Sequence, residues 1–340
     1  MSVLYANIDS MLNKREELKT LISLKDPDFV VLTEILPKNS GVLSLSEFEL
    51  NSYEPFISSL DRGRGVAIYC RNSLSVNIVD TITCDDFQES IWVRIKLKST
   101  DTLLLGSIYR SPNSDHINNE NLNLLLRKVK ELNDTHVLIL GDFNYKDINW
   151  NLRQSNTSCS SDTSKFIETL NDTYLYQHVR EPTRYRHDQT PSILDLILTN
   201  EELMVSDIEY MNPIGKSDHI ALYFTYTCYV DDDSNARTEP RYLYNKGDYD
   251  KLREELAIVD WSEATDMDIE AYWDFFTSNI SKAMEKSIPL SKPGAKPKKK
   301  WVTGEASSAI HEKKKAWKKY IYCKSTDTYM AYVNKRNLCT

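Results

Sequence analysis

Residues 135–144 read Thr-His-Val-Leu-Ile-Leu-Gly-Asp-Phe-Asn, a short apolar run closed by a glycine, a carboxylate and an amide. Residues 137–140 have the length and composition of a buried strand. Gly141 breaks the run, and Asp142 and Asn144 follow with one residue between them. In a strand, side chains two apart share a side, so the spacing predicts a carboxylate and an amide standing together at a strand end. A carboxylate takes up a proton or ligates a hard cation, and an amide orients what lies beside it. Such a pair suits a site that holds water beside a phosphate or a metal. Gly-Asp-x-Asn is also an ordinary turn composition, so the motif alone leaves both readings open.

The same ending recurs along the first two thirds of the chain. Residues 3–8 predict a strand that reaches Asn7 and Asp9, followed by a helical pattern of Leu12, Leu18, Leu21 and Ile22. Residues 28–34 predict a second buried strand closed by Glu34, and 63–70 and 90–97 predict two more. The run 103–110 delivers Tyr109 and Arg110 to its end, before Ser111 and Pro112. A polar helix is expected around 119–132 and a short one over 165–175, with loops over 37–62 and 150–164. Residues 192–200 predict a hydrophobic strand with one carboxylate, Asp195, inside it. Burying that charge between Leu194 and Leu196 costs on the order of several kcal/mol unless it is paired, and His219 is available as the partner. Asp218 and His219 precede the last strand of this region, 220–226. Singly, each feature has a plain explanation: a cap for Glu34, a core edge for Tyr109, a hydrogen-bonded structural histidine for His219, half of a buried polar pair for Asp195. Six such features in one chain argue for a shared site.

Beyond residue 230 the pattern changes. Asp231-Asp-Asp-Ser-Asn reads as a linker. From 242 the apolar spacing is helical, with Tyr249, Leu252 and Leu256, then Tyr272, Trp273, Phe276 and Ile280. Residues 292–300 form a basic tether, disordered by composition. A basic helix follows, with Ile310, Trp317, Tyr320 and Ile321 as an apolar stripe among Lys313, Lys314, Lys315, Lys318 and Lys319. The charges divide likewise, with 22 Lys and Arg against 32 Asp and Glu up to residue 230, and 20 against 18 after it. The acidic part repels polyanions on average, so nucleic-acid binding there has to be local or metal-assisted. No apolar run approaches the ~18 residues of a membrane span, and the N-terminus has no secretory pattern. Six cysteines without a C-x-x-C pair read as reduced thiols.

In the order Asn7-x-Asp9, Glu34 closing Pro-Asp-Phe-Val-Val-Leu-Thr-Glu, Tyr109, Gly-Asp142-Phe-Asn144, Asp195 and Ser-Asp218-His219, the chain resembles the endonuclease/exonuclease/phosphatase superfamily. That superfamily includes DNase-I-like enzymes and apurinic/apyrimidinic endonucleases. Asn-Lys-Arg-Glu-Glu-Leu, Ile-Tyr-Arg-Ser-Pro and Leu-Asp-Leu-Ile-Leu-Thr-Asn narrow the resemblance to the endonuclease domain of jockey/CR1-like non-LTR retrotransposons. It covers 1–228; 229–240 is then a linker, and 241–340, with Lys300-Trp-Val-Thr, resembles the helical, basic segment placed before a reverse transcriptase. The Tyr-x-Asp-Asp of a polymerase core is not in the sequence.

The resemblance implies a four-layered α/β sandwich, two packed mixed sheets flanked by helices, followed by a mostly helical C-terminal segment. It implies phosphodiester hydrolysis dependent on Mg²⁺, with Mn²⁺ as a substitute. Glu34, Asp9 and Asp218 are expected to hold the metal, Asp142 to activate water, Asn144 to position it, and Asp195 to hold His219 toward the scissile phosphate. Tyr109 and Asn7 would complete the phosphate cradle, with Arg110 and Arg184 as backbone contacts. The expected substrate is target DNA, nicked for retrotransposition, and the expected location is the nucleus, for which Pro297-Lys-Lys-Lys300 fits a signal. Neither a membrane nor an organic cofactor is expected. The alternatives are a phosphatase of the same superfamily, acting on inositol phosphates or sphingomyelin, and a catalytically dead relic that serves as a binding module. The Lys-rich, Trp- and Tyr-bearing helix of the tail would contact phosphates and stack on bases, or would be a solvated helix with a narrow packed stripe.

Overall fold

Alternation of side chains along short strands builds most of this protein. The computed structural model describes residues 1–38, 44–58, 63–79, 87–98, 100–156, 161–186, 189–228, 242–266, 268–290 and 304–339. The linker 229–240 and the tether 292–300 lie outside the described residues. One six-stranded sheet contains β1 (Ser2–Asn7), β2 (Phe29–Thr33), β3 (Tyr53–Ile57), β4 (Val66–Arg71), β13 (Val205–Tyr210) and β14 (Ala221–Tyr226). The other contains β5 (Val76–Ile78), β6 (Ser90–Lys96), β7 (Thr102–Tyr109), β8 (His136–Asp142), β11 (Tyr176–Gln177) and β12 (Asp195–Thr199). A two-stranded ribbon, β9 (Ile148–Asn149) with β10 (Gln154–Ser155), lies between them in sequence. Both large sheets are mixed: β1 runs parallel to β2 and antiparallel to β14, while β7 runs parallel to β8 and antiparallel to β6.

Three apolar clusters sort the strand residues by parity. Val3, Tyr5, Phe29 and Val31 of the first sheet meet Leu105, Leu138, Leu140 and Ile197 of the second. The opposite face of the first sheet, with Leu4, Ala6, Val30 and Leu32, packs on Leu18, Leu21 and Ile22 of helix α1 (Arg15–Lys25). The opposite face of the second, with Leu104, Val137, Ile139 and Leu198, packs on helices α2 (His116–Glu131) and α3 (Asp162–Asp172) through residues such as Leu122, Leu126, Phe166 and Leu170. Helix, sheet, sheet and helix make the four layers that the resemblance implies. Helices α2 and α3 begin earlier than the apolar spacing suggests, because the side chains of Asp115 and Ser161 accept the backbone N–H of Asn118 and Ser164.

The C-terminal third is not one body. The chain forms two compact units, Met1–Asp231 with Lys299–Thr340, and Asp232–Lys298. Where the sequence reading takes 241–340 as one segment, helices α6 (Gly304–Cys323) and α7 (Thr326–Asn337) join the sandwich. The reason is burial: Trp317 and Tyr332 enter the cluster between the sheets, and Lys313, read as part of a solvated basic face, is fully buried against Glu17 of α1. The second unit pairs α4 (Tyr249–Ala257) with α5 (Ile269–Ser287), tied by a Lys286–Glu255 ion pair of 2.6 Å. Tyr272, Trp273 and Phe276, expected on its apolar face, are exposed, since two helices offer little to cover them. No helix among the described residues is long and apolar enough to cross a membrane.

Gly141 does not end its strand, as its break in the apolar run suggests; β8 continues through it to Asp142. It faces Ile108 in the β7–β8 ladder, and a Cβ there would lie 2.0 Å from the Ile108 carbonyl oxygen. The residue is glycine for close approach of two backbones, not for a turn. Gly141→Ala is expected to destabilise the sandwich by about 1–3 kcal/mol, measured by urea unfolding; an unchanged midpoint would refute the steric account.

Candidate active site

The parity that builds the middle layer also builds the site. Val3 and Tyr5 lead to Asn7, Leu138 and Leu140 to Asp142, and Leu103 and Leu105 to Tyr109, each on the face between the sheets. Asp195 shares the face of Ile197, and it opens β12 instead of lying inside it. Side chains from both sheets therefore meet at one rim. Tyr5 Oη donates to Asp195 Oδ1 at 2.7 Å, and Asn7 Nδ2 donates to Asp142 Oδ2 at 2.9 Å and to Glu34 Oε1 at 3.0 Å.

Parity does not place the rest. Asp9, Glu34 and Asn144 stand past the ends of β1, β2 and β8, all in the left-handed region at φ 41°, 53° and 52°. Non-glycine residues adopt this conformation at a cost and are enriched where function demands it. At Asn144 the backbone N–H donates to Asp142 Oδ1 at 3.1 Å, and Nδ2 donates to the Arg110 carbonyl oxygen at 2.9 Å. The Asp142–Asn144 association is thus a side-chain-closed turn, not two positions of a strand.

Asp142, Asp195 and His219 offer ligand atoms within 4.8 Å of one another, and all three are buried. His219 Nδ1 lies 2.7 Å from Asp195 Oδ2, and Nε2 lies 3.9 Å from Asp142 Oδ2. Burial by itself would lower the histidine pKa, but Asp195, then Asp142 and Asp218, raise it to about 10. The facing carboxylates favour the protonated form of His219, which suits a proton donor. Burial pushes the Asp142 carboxyl up to about 8, with Asp195 and Glu34 adding to the rise and His219 and Asn7 opposing it. Burial, with the Glu34 and Asp142 charges, also raises the Tyr109 phenol, so it stays a hydrogen-bond donor.

Asp9 and Glu34 share one cation. Arg64 Nη2 lies 2.5 Å from Asp9 Oδ1 and 2.5 Å from Glu34 Oε2. Two carboxylate oxygens that converge on a point at this distance fit a hard divalent ion, which takes oxygen ligands at about 2.0–2.6 Å. Asp218 is engaged elsewhere, by Arg184 Nε at 3.0 Å and Arg186 Nε at 3.8 Å. Burial alone would raise its carboxyl, but His219 and Arg184 hold it below the usual range.

Arg110 is engaged by groups of the protein itself. Its Nε donates to Asn119 Oδ1 at 2.7 Å, Nη1 donates to the carbonyl oxygens of Phe143 and Asn144 at 3.2 and 3.3 Å, and the guanidinium lies 4.1 Å over the Tyr145 ring. A strand-end arginine looks available in the sequence; here a helix and a turn fold over it and use its donors. Three residues were not singled out from the sequence. Arg64 had a signal in Gly63-Arg-Gly65, two of only nine glycines in the chain, both at positive φ. Tyr5 shares the parity of Asn7 but reads as core, and Ser217, present in the Ser-Asp218-His219 motif without a role of its own, donates its Oγ to the Asn7 carbonyl oxygen at 2.8 Å.

Residues 103–223, from β7 into β14, match the family described as endonuclease-reverse transcriptase. The solved endonuclease domain of TRAS1, a telomere-specific non-LTR retrotransposon, is similar with TM-score 0.53 and 17% identity, over 67% of this chain and 98% of that one. The sequence match over these residues and the shared fold support the endonuclease/exonuclease/phosphatase superfamily for this domain. Two further structures of this fold are similar. An AP endonuclease from Leishmania major aligns with TM-score 0.53 and 12% identity, over 66% of this chain and 87% of that one. The APE2 catalytic domain of Xenopus laevis aligns with TM-score 0.52 and 17% identity, over 68% and 94%. No curated protein matches the chain.

Two outcomes test the buried network. Tyr5→Phe removes a donor from Asp195 and is expected to cost about 1–2 kcal/mol, read by urea unfolding, with no loss if the bond is not made. His219 is held above its ordinary 6.5, so its contribution to stability is complete below about 6.5 and is lost as pH rises through about 10. The melting-temperature gap between wild type and His219→Asn, measured in EDTA, is therefore expected to be widest near pH 6 and to close toward pH 10. A gap independent of pH would refute the charged pair.

Proposed function

We propose that this superfamily domain is a divalent-metal-dependent phosphodiester hydrolase, and that it is a DNA endonuclease of the kind carried by non-LTR retrotransposons. The observation that carries the reading is the rim where Asn7 joins Glu34 to Asp142 while Asp195 holds His219 at the other side of Asp142. Hydrolysis of a phosphodiester by water needs a base for the water and positive charge for the phosphoryl oxygens. Asp142, buried and of near-neutral basicity, takes the proton of the attacking water. His219, charged through Nε2 while Nδ1 is held by Asp195, stabilises the developing negative charge or protonates a phosphoryl oxygen. Tyr109 keeps its phenolic proton and donates a hydrogen bond to the phosphate. Asp9 and Glu34 are the residues that would hold Mg²⁺ or Mn²⁺, and the ion supplies Lewis acidity toward the phosphate oxygens. Binding an ion there requires Arg64 to leave the two carboxylates.

What favours DNA over an inositol phosphate or a sphingolipid is the matched family and the nucleases among the similar structures. A nuclear location and a place for 241–340 ahead of a reverse transcriptase follow from that reading. Supercoiled plasmid with Mg²⁺ is expected to convert to open circles, with conversion abolished by EDTA and reduced by on the order of 10²–10⁴-fold in Asp142→Ala. Folded wild type that releases phosphate from inositol phosphates and leaves plasmid intact would establish the phosphatase; activity on neither would leave a binding module.

A further inference from the structure

The sandwich does not enclose its cleft alone. A continuous cavity of about 760 Å³ runs from Glu34 and Asp142 to Tyr320, Tyr329, Tyr332 and Arg336 on the two C-terminal helices of the same compact unit. That hairpin is seated on the segments that carry the site. Lys313 pairs with Glu17, and the other oxygen of Glu17 accepts the Gly215 N–H at 3.0 Å, in the loop leading to Asp218 and His219. Lys314 pairs with Glu209 of β13 at 2.5 Å. Trp317 meets Tyr185 edge-on at 5.3 Å, and the Tyr185 N–H donates to the Asp218 carbonyl oxygen at 2.7 Å. A buried ion pair contributes little net stability but specifies one geometry, so the hairpin has a defined place beside the catalytic residues.

Its cleft-facing side offers more than packing. The rings of Tyr320 and Tyr329 lie 5.2 Å apart, tilted, at the cavity wall. Tyr332 is 2% exposed, and among the described residues neither its hydroxyl nor the buried Nε of Arg336 has a hydrogen-bond partner. A buried donor left unmade costs about 1–3 kcal/mol, a cost that a bound acceptor would remove. The cavity keeps the volume of an ordinary ligand site, roughly 300–1,000 Å³, with the hairpin in place, so the hairpin walls the cleft without plugging it.

We propose that the α6–α7 hairpin is part of the substrate-binding surface: Tyr320 and Tyr329 stack on a base of the DNA strand entering the site, and Tyr332 and Arg336 donate to its backbone phosphate. Rings at a wall with nearby guanidinium are how single strands are held without sequence readout, and Arg186, exposed across the same cavity, adds charge for the phosphates. The proposal rests on the nuclease reading for its ligand, but its test does not need catalysis.

The test is binding of a fluorescent single-stranded 16-mer and a duplex of the same sequence, by anisotropy in EDTA, to full-length wild type, Tyr320→Ala/Tyr329→Ala, Tyr320→Phe/Tyr329→Phe and Arg336→Ala. The double alanine variant is expected to lose about tenfold in affinity, most for the single strand, while the phenylalanine variant keeps it. Arg336→Ala is expected to weaken binding and to flatten its salt dependence by about one phosphate contact. In plasmid nicking the same losses are expected in KM, with kcat within about threefold. Alanine variants that bind as wild type, or that nick faster because a lid has been loosened, would overturn the proposal. Wild type that fails to bind either DNA overturns it together with the nuclease reading; wild type that binds through the hairpin but does not nick overturns the activity alone.

Discussion

Charge buried between two sheets is the constraint on which the rest of this structure depends. Asp142 and Asp195 are fully buried at the rim of an otherwise apolar layer, where an unpaired carboxylate would cost several kcal/mol. His219 answers both, and Tyr5 and Asn7, from the opposite sheet, supply further donors, as does the Asn144 N–H. The two sheets are thus joined at this edge by hydrogen bonds as well as by packing. Displacing either sheet relative to the other breaks a charged network, so the geometry that catalysis needs is also the geometry that the fold needs.

The second cationic centre is of another kind. Arg64 joins Asp9 and Glu34 from a turn framed by two glycines at positive φ, and both carboxylates stand on left-handed residues past their strands. Lys14, largely buried, donates to the Ile8 and Asp9 carbonyl oxygens at 2.5 Å, and burial lowers its pKa. Arg64 and Lys14 thus flank the acidic pair. The left-handed backbone at Asp9 and Glu34 lets their oxygen atoms point at one place, which a regular strand end cannot arrange.

Much of the fold was legible because strand alternation is local. The run 137–140, the strand 28–34 and the helix with Leu18, Leu21 and Ile22 each carry their own pattern, and the three clusters observed follow from the parity of those residues. Within the site, Asp195 and His219 were legible as a pair because a carboxylate among leucines demands a partner. The partners of Arg110 were not legible, because nothing local shows that α2 and the 143–145 turn will close over it. Lys313 was misread for the same reason: its partner, Glu17, lies 296 residues away.

The sequence by itself determined the central buried strands, which face of each is apolar, and most of the polar groups near their ends, because propensity and alternation act over a few neighbours; the edge strands β3 and β13 it did not show. Tertiary structure alone decided which carboxylates converge on one cation, that Asp218 belongs to Arg184, and that helices after residue 304 wall the cleft. Those outcomes depend on contacts between residues far apart in the chain, and on left-handed backbone held in place by its surroundings, neither of which any short window of sequence encodes.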